Sequence, residues 1–214
     1  QAEDGIRDYK VTGVQTCALP IWKSTTLLQA AWNYRERGMQ PLLLTPRLNT
    51  RDGLGRIASR IGLDADAHSF SEHDSLLEIF RCQHQSSPIA CVFVDEAQFL
   101  TRRQVSELCR IADEQAVPVL AYGLRTDFQG ALFEGSQYLL AWADVLSEIK
   151  TVCHCGRKAT MVLRIDATGR PLRSGEQIQI GGNESYVSVC RRHFHEGLAE
   201  RSGPQLPFSD LEED

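Results

Sequence analysis

Asp95 and Glu96 are adjacent carboxylates at the end of a short apolar run, Ile89 to Val94. A run that short, rich in β-branched residues, reads as a buried strand. The C-terminal end of such a strand is where open α/β sheets bind ligands. One acid there can hold Mg²⁺ beside nucleotide phosphates, and the other can take a proton from an attacking hydroxyl. The plainer alternative is a strand followed by a solvated acidic loop. Lys23-Ser24-Thr25 stands at the head of a helical pattern and matches the end of the phosphate-loop pattern G-x-x-x-x-G-K-[ST]. In that loop backbone N–H groups cradle phosphates, the lysine reaches the β- and γ-oxygens, and the hydroxyl binds Mg²⁺. Trp22 and Cys17 occupy the places of its glycines, so only the lysine and serine remain. Near the C-terminus, Cys153-x-Cys155 and Cys190-x-x-His193 form two close pairs of soft ligands. Such pairs suit a tetrahedral Cys₃His zinc site, structural because the protein fills every position. The set is complete without His195, which reads as a surface residue.

The elements that must position these groups follow from periodicity. Leu27, Leu28, Ala31 and Tyr34 sit at helical spacing and Gly38 is a stop. Leu42 to Thr45 is a short strand. Asn49 to Arg60 is a polar loop whose Arg51, Arg56 and Arg60 either reach phosphates or stay solvated. Ser71 to Gln85 reads as a helix with Leu76, Leu77, Ile79 and Phe80 on its apolar side. His68, His73 and His84 lack ligand spacing and read as surface residues, and Cys82, Cys91 and Cys109 as core or near-core thiols. Thr101-x-x-Gln104 is a capping box opening a helix that carries Val105, Leu108, Cys109, Ile111 and Ala112. Pro118 to Gly123 is another buried strand, followed by Arg125, Asp127 and Phe128 on the same edge as Asp95 and Glu96. An aromatic there either stacks a base or plugs the core. Ser136 to Ala143 reads as a helix and Val145 to Ile149 as a strand.

Alternating strands and helices with short connections predict an α/β fold: a parallel sheet of the P-loop type flanked by helices. From Thr151 the pattern changes to β-hairpins (ATMVLRI, the turn ATGRP, EQIQI, then YVSV) around the zinc ligands. This predicts a small zinc-ribbon-like β domain. The expected organisation is a nucleotide-binding core at 23–150, the zinc domain at 151–196 and a disordered acidic tail at 197–214. Residues 1–22 show no sustained period and resemble translated sequencing-adapter DNA, with AEDGIRD followed by VTGVQTCALPI. They are read as an artefactual segment outside the fold.

A net charge of −5 argues against a protein built to grip nucleic-acid phosphates or a basic membrane-surface binder. No apolar run approaches the roughly 18 residues of a membrane span, and no secretion signal is legible, so a cytoplasmic location is expected. Seven cysteines, an odd number, favour a metal site over a disulfide framework.

The strings KSTTLLQAAWNYRERGM, VDEAQFL, PVLAYGLRTDFQGALFEGS, CHCGRKATMVLR and IGGNESYVSVCRRH together resemble the thymidine kinases of bacteria and animal cytosol, from Lys23 to about His195. The resemblance implies transfer of the γ-phosphoryl group of ATP to the 5′-hydroxyl of thymidine, giving dTMP. Lys23 would hold the donor phosphates and Ser24 would contact Mg²⁺, with Thr25, Arg51, Ala97 and Gln98 beside the nucleotide. Asp95 would serve the Mg²⁺ site and Glu96 would be the catalytic base. Phe128 would lie against the thymine ring. A lasso from Gly182 to Val189, including Asn183, Tyr186 and Val187, would close over the nucleoside. Cys153, Cys155, Cys190 and His193 would hold the structural Zn²⁺ that anchors it. A homotetramer and inhibition by dTTP are implied as well.

The chain departs from the family at the missing loop glycines and first strand, and at Asn49, where an acid is frequent. Two other readings are a non-catalytic zinc-ribbon module and a different P-loop ATPase. The acidic balance and intact Asp95-Glu96 pair weigh against the first, the IGGNESYVSVC segment against the second.

Overall fold

The structure is a computed structural model that describes residues 11–16, 20–48, 55–59, 61–175, 177 and 186–199. Arg51, Gly182 and Asn183 lie outside these residues, as do Asn49, Arg60, most of EQIQI and most of the expected tail.

Six parallel strands form the central sheet: β1 (Val11–Thr16), β2 (Gln40–Pro46), β5 (His68–Phe70), β6 (Ile89–Val94), β7 (Val119–Leu124) and β8 (Val145–Glu148). Their order is β5-β2-β6-β7-β1-β8. Alternate residues of the inner strands serve opposite faces, as a period of two requires. Leu42, Leu44, Val92, Val94, Val119 and Ala121 enter one core. That core is closed by α2 (Leu76–Ser86), α3 (Arg102–Gln115) and α4 (Glu134–Trp142). Leu43, Cys91, Phe93 and Tyr122 enter the other, against Leu27, Leu28 and Ala31 of α1 (Pro20–Glu36). The capping box of α3 is present as expected: the Thr101 side chain accepts from Gln104 N–H, and the Gln104 side chain from Thr101 N–H.

Several elements differ from the sequence reading. Val11–Thr16 is not outside the fold but lies between β7 and β8, pairing Val11 with Val119 and Thr12 with Val145. The position of the first strand is therefore filled. Its valines and threonines favour extended backbone, and its partners lie over a hundred residues along the chain, beyond any local pattern. Helix α1 starts at Pro20, before Lys23, because the fixed φ of proline suits a first helical position. Within the loop expected at 49–60, β3 (Arg56–Ala58) pairs antiparallel with β4 (Asp64–Asp66), fastened by the Arg56–Asp64 ion pair. Helix α2 is capped by Ser75, not Ser71; the latter is held in a turn by Asp74. Cys82 is exposed rather than near the core. His84 is half-buried, stacks on Phe80 and accepts from the Ile89 N–H.

The C-terminal unit is built of short antiparallel pairs. β9 (Thr151–Val152) pairs with β10 (Lys158–Ala159). β11 (Met161–Ile165) lies between β12 (Pro171–Leu172) and β13 (Tyr186–Val189). Helix α5 (Arg191–Glu196) closes a small core of Leu163, Val189 and Phe194 around two of the cysteines.

Candidate active site and metal centre

The ends of β6 and β7 and the start of α1 meet at one edge of the sheet. Asp95 still belongs to the ladder, since its N–H donates to the Leu44 carbonyl at 2.9 Å. Its carboxylate points inward and is 1% exposed. Oδ2 accepts from the Ser24 hydroxyl at 3.2 Å. Oδ1 is buried and has no hydrogen-bond partner among the described residues. Burial is the main force on this group, reinforced by the Glu96 charge and opposed by Lys23; together they push its pKa up to about 7. An orphaned buried carboxylate oxygen beside a serine hydroxyl is a donor set that fits a hard divalent cation.

Glu96 follows in the left-handed backbone region, φ 47 and ψ 42. Non-glycine residues in that region are rare and collect at functional sites. The turn throws its carboxylate toward α1, where Oε2 accepts from Lys23 Nζ at 3.1 Å. Lys23 is itself 1% exposed, so this is a nearly dry ion pair. Oε2 also accepts from the Gln98 amide in the 3₁₀ turn Ala97–Phe99. Gly135, at the start of α4, lets that helix press on this turn, because a Cβ there would strike the carbonyl oxygens of Ala97 and Leu100. Lys23, Ser24, Asp95, Glu96 and Gln98 thus meet in one place.

From β7 the chain runs into Arg125, Asp127 and Phe128. Asp127 fastens the turn beyond it, with Oδ1 accepting from the N–H groups of Gln129 and Ala131 at 2.8 and 2.9 Å. Oδ2 accepts from the Gln177 amide at 2.9 Å, and Gln129 donates to the Gly175 carbonyl at 3.0 Å. Arg125 reaches the Thr160 carbonyl at 3.3 Å. Phe128 is buried, with the Arg164 guanidinium 5.3 Å from its ring centroid. Arg164 and Gln177 come from the C-terminal unit, and nothing in their local sequence announced these contacts. Within that unit Tyr186 and Val187 are half-buried; Val189 is fully buried, its carbonyl taken by Thr160 N–H.

Cys153, Cys155, Cys190 and His193 converge so that their ligand atoms lie within 4.8 Å of one another. Cys153 Sγ is 3.3 Å from His193 Nδ1, and Cys155 Sγ is 3.9 Å from Cys190 Sγ. With Zn–S bonds of about 2.3 Å, a tetrahedron has edges of about 3.8 Å, so the spacing fits zinc. Gly156 N–H closes the knuckle on the Cys153 carbonyl. The His193 backbone N–H, foremost among several donors, holds the Cys190 thiol below its ordinary range, while burial pushes Cys153 up. His154, unnoticed in the sequence, stacks on His193 with ring centroids 4.3 Å apart.

A parallel α/β sheet with a lysine, a hydroxyl and two carboxylates at its carboxyl edge, joined to a zinc-type β unit, defines a nucleotide-using phosphotransferase of the P-loop class. The family model for thymidine kinase matches residues 15–194. The thymidine kinase of Rhodopirellula baltica is 58% identical over 191 residues, covering 89% of this chain and 90% of the relative. That of Shewanella oneidensis is 58% identical over 179 residues, covering 84% and 93%. That of Escherichia coli strain K12 is 56% identical over 181 residues, covering 85% and 88%. This chain belongs to the thymidine kinase family.

Proposed function

We propose that the chain is an ATP:thymidine 5′-phosphotransferase, acting in nucleoside salvage. The observation that carries the reading is the paired contact Lys23–Glu96 and Ser24–Asp95 across the sheet edge. It unites the residues such a reaction needs: a cation for the donor phosphates, an acid and a hydroxyl for Mg²⁺, and a second acid for the 5′-hydroxyl proton.

Mg²⁺ would be held by Ser24 and Asp95, where it would offset the negative charge of the transferred group. Lys23 would turn from Glu96 to the β- and γ-phosphates when ATP enters, releasing the Glu96 carboxylate to accept the substrate proton. Thr25, Arg51, Ala97 and Gln98 flank the nucleotide in this reading. Phe128, Gly182, Asn183, Tyr186, Val187 and Val189 serve the nucleoside, side chains packing the base and lasso backbone reading its edge. Zn²⁺ at Cys153, Cys155, Cys190 and His193 would fix both ends of the lasso, so that it orders over substrate yet still opens. The homotetramer, inhibition by dTTP and cytoplasmic location belong to the same proposal; among the described residues no helix is long and apolar enough to cross a membrane.

Residues 1–22 remain, in this proposal, a replaced N-terminus. The strand ends at Thr16 and the helix begins at Pro20, leaving three residues for a connection that in a phosphate loop carries the glycines. The test compares the chain as it stands with one carrying Cys17→Gly and Trp22→Gly, in an assay of ADP release with ATP, Mg²⁺ and thymidine. Thymidine-dependent turnover in the repaired chain alone supports both the kinase reading and the overwritten loop. Equal turnover in both refutes the account of the loop. If neither turns over and neither binds thymidine, the kinase reading falls.

A further inference from the structure

We infer that Gln98 is a positioning residue for the catalytic base, its amide tying the Glu96 carboxylate to the end of β7, from which the nucleoside-binding segment departs. The inference rests on the reading of Glu96 as the base and alters the expected role of Gln98, from a nucleotide contact to a brace.

The geometry is specific about which end of the amide does what. Gln98 Oε1 accepts from the Leu124 N–H at 3.0 Å. A backbone N–H can only donate, so the other end, Nε2, must face Glu96, where it donates to Oε2. The side chain is 3% exposed, so neither bond is easily exchanged for water. Gly123 makes room for it: a Cβ there would sit 2.9 Å from Gln98 N and 3.0 Å from Oε1. The Leu124 carbonyl is secured by the Ser136 hydroxyl from α4. Both backbone polar groups of Leu124 are thus held by side chains, four residues ahead of Phe128. One amide therefore sets the distance between the group that takes the proton and the strand end that delivers the nucleoside.

Lys23 shares the same Glu96 oxygen, and Asp95 adjoins it. When Lys23 moves to the phosphates, the Gln98 bond still holds the carboxylate. Catalysis by a general base depends on such placement to within a fraction of an ångström.

The test compares the full chain with Gln98→Met and Gln98→Glu. Amide hydrogen exchange at Leu124 is followed together with the kinetics of the repaired chain. Leu124 exchange should quicken about tenfold or more in Gln98→Met and stay near wild type in Gln98→Glu, which still accepts that N–H. This split rescue is not expected of a side chain that merely fills space. In the repaired chain, kcat for thymidine should fall roughly 10–100-fold with KM for ATP nearly unchanged. Unchanged Leu124 exchange in folded Gln98→Met overturns the proposal, as does a raised KM for ATP at full kcat, which makes Gln98 a nucleotide contact. A repaired chain that never phosphorylates thymidine sinks the functional reading instead, and the Leu124 exchange then decides the brace by itself.

Discussion

The sheet and the C-terminal unit hold themselves together by different means. The sheet buries two apolar faces under helices, and its acids and lysine belong to neither apolar cluster. The C-terminal unit includes two-residue strands, and its core is the small cluster Cys153, Ala159, Leu163, Val189, Cys190 and Phe194, in which two of the six are zinc-type cysteines. A unit of that size seldom folds on burial alone and commonly relies on a metal. The difference teaches where each tolerates damage. In the sheet, removing a site residue should harm chemistry and spare the fold; in the C-terminal unit, removing a ligand should harm the fold first.

The largest effect should come from breaking the metal set. Cys190→Ser, or a strong chelator, should release one zinc per chain and unfold residues 151–196, because metal binding there is folding free energy. Circular dichroism and zinc release should report this while the sheet's thermal transition persists. A metal-free chain with the C-terminal amides still protected would erase the contrast.

Glu96→Gln sharpens it from the other side. In the repaired chain thymidine should still bind, but kcat should fall on the order of 10²–10⁴-fold, with the thermal midpoint held. Near-normal turnover would remove Glu96 from the chemistry.

Asp95 gives a smaller, pH-dependent effect of opposite sign on stability. Its pKa in the fold is about 7, above the ordinary carboxylate value. The contribution of this group is thus fully present below about pH 4 and is lost as the pH rises through about 7. Without Mg²⁺, Asp95→Asn should therefore match the parent near pH 4 and exceed it at pH 8 by on the order of a few kcal/mol. Thermal melts across that range check this; a parent that gains stability between pH 4 and 8 relative to Asp95→Asn would contradict it.

The smallest effect should lie at the joint of the two regions. Arg164→Met removes the guanidinium from the Phe128 ring and should raise KM for thymidine several-fold, at a cost of about 0.5–2 kcal/mol. Unchanged KM would leave the two regions uncoupled at this contact.

The sequence made local features legible and concealed those whose partners are distant. Strand β6 and the Thr101 cap were readable because the apolar run and the capping box are complete within a few residues. Strands β3, β4 and β5 were not: Arg56–Ala58, Asp64–Asp66 and His68–Phe70 are three-residue pieces carrying polar side chains, extended because a neighbouring strand holds them. Ser71 and Ser75 could each cap that helix on paper; the turn that Asp74 ties at Ser71, and Glu107 of α3 accepting from the Leu76 and Leu77 N–H groups, set the start at Ser75. The acids, the lysine and the zinc ligands could be named as candidates by type and spacing. The pairing of Lys23 with Glu96 rather than Asp95 depends on the left-handed turn at Glu96, which no sequence pattern marks.

The place of β1 also sets an order in time. Val11 is matched with Val119, and Thr12 with Val145. At about 5–20 residues per second, a ribosome needs on the order of 5–20 s to travel from the first of these partners to the second. Through that interval β1 can find neither neighbour in its own nascent chain. The helix carrying Lys23 follows directly from this strand, so the phosphate edge is completed only after Leu124 has been made, however early its own residues emerge.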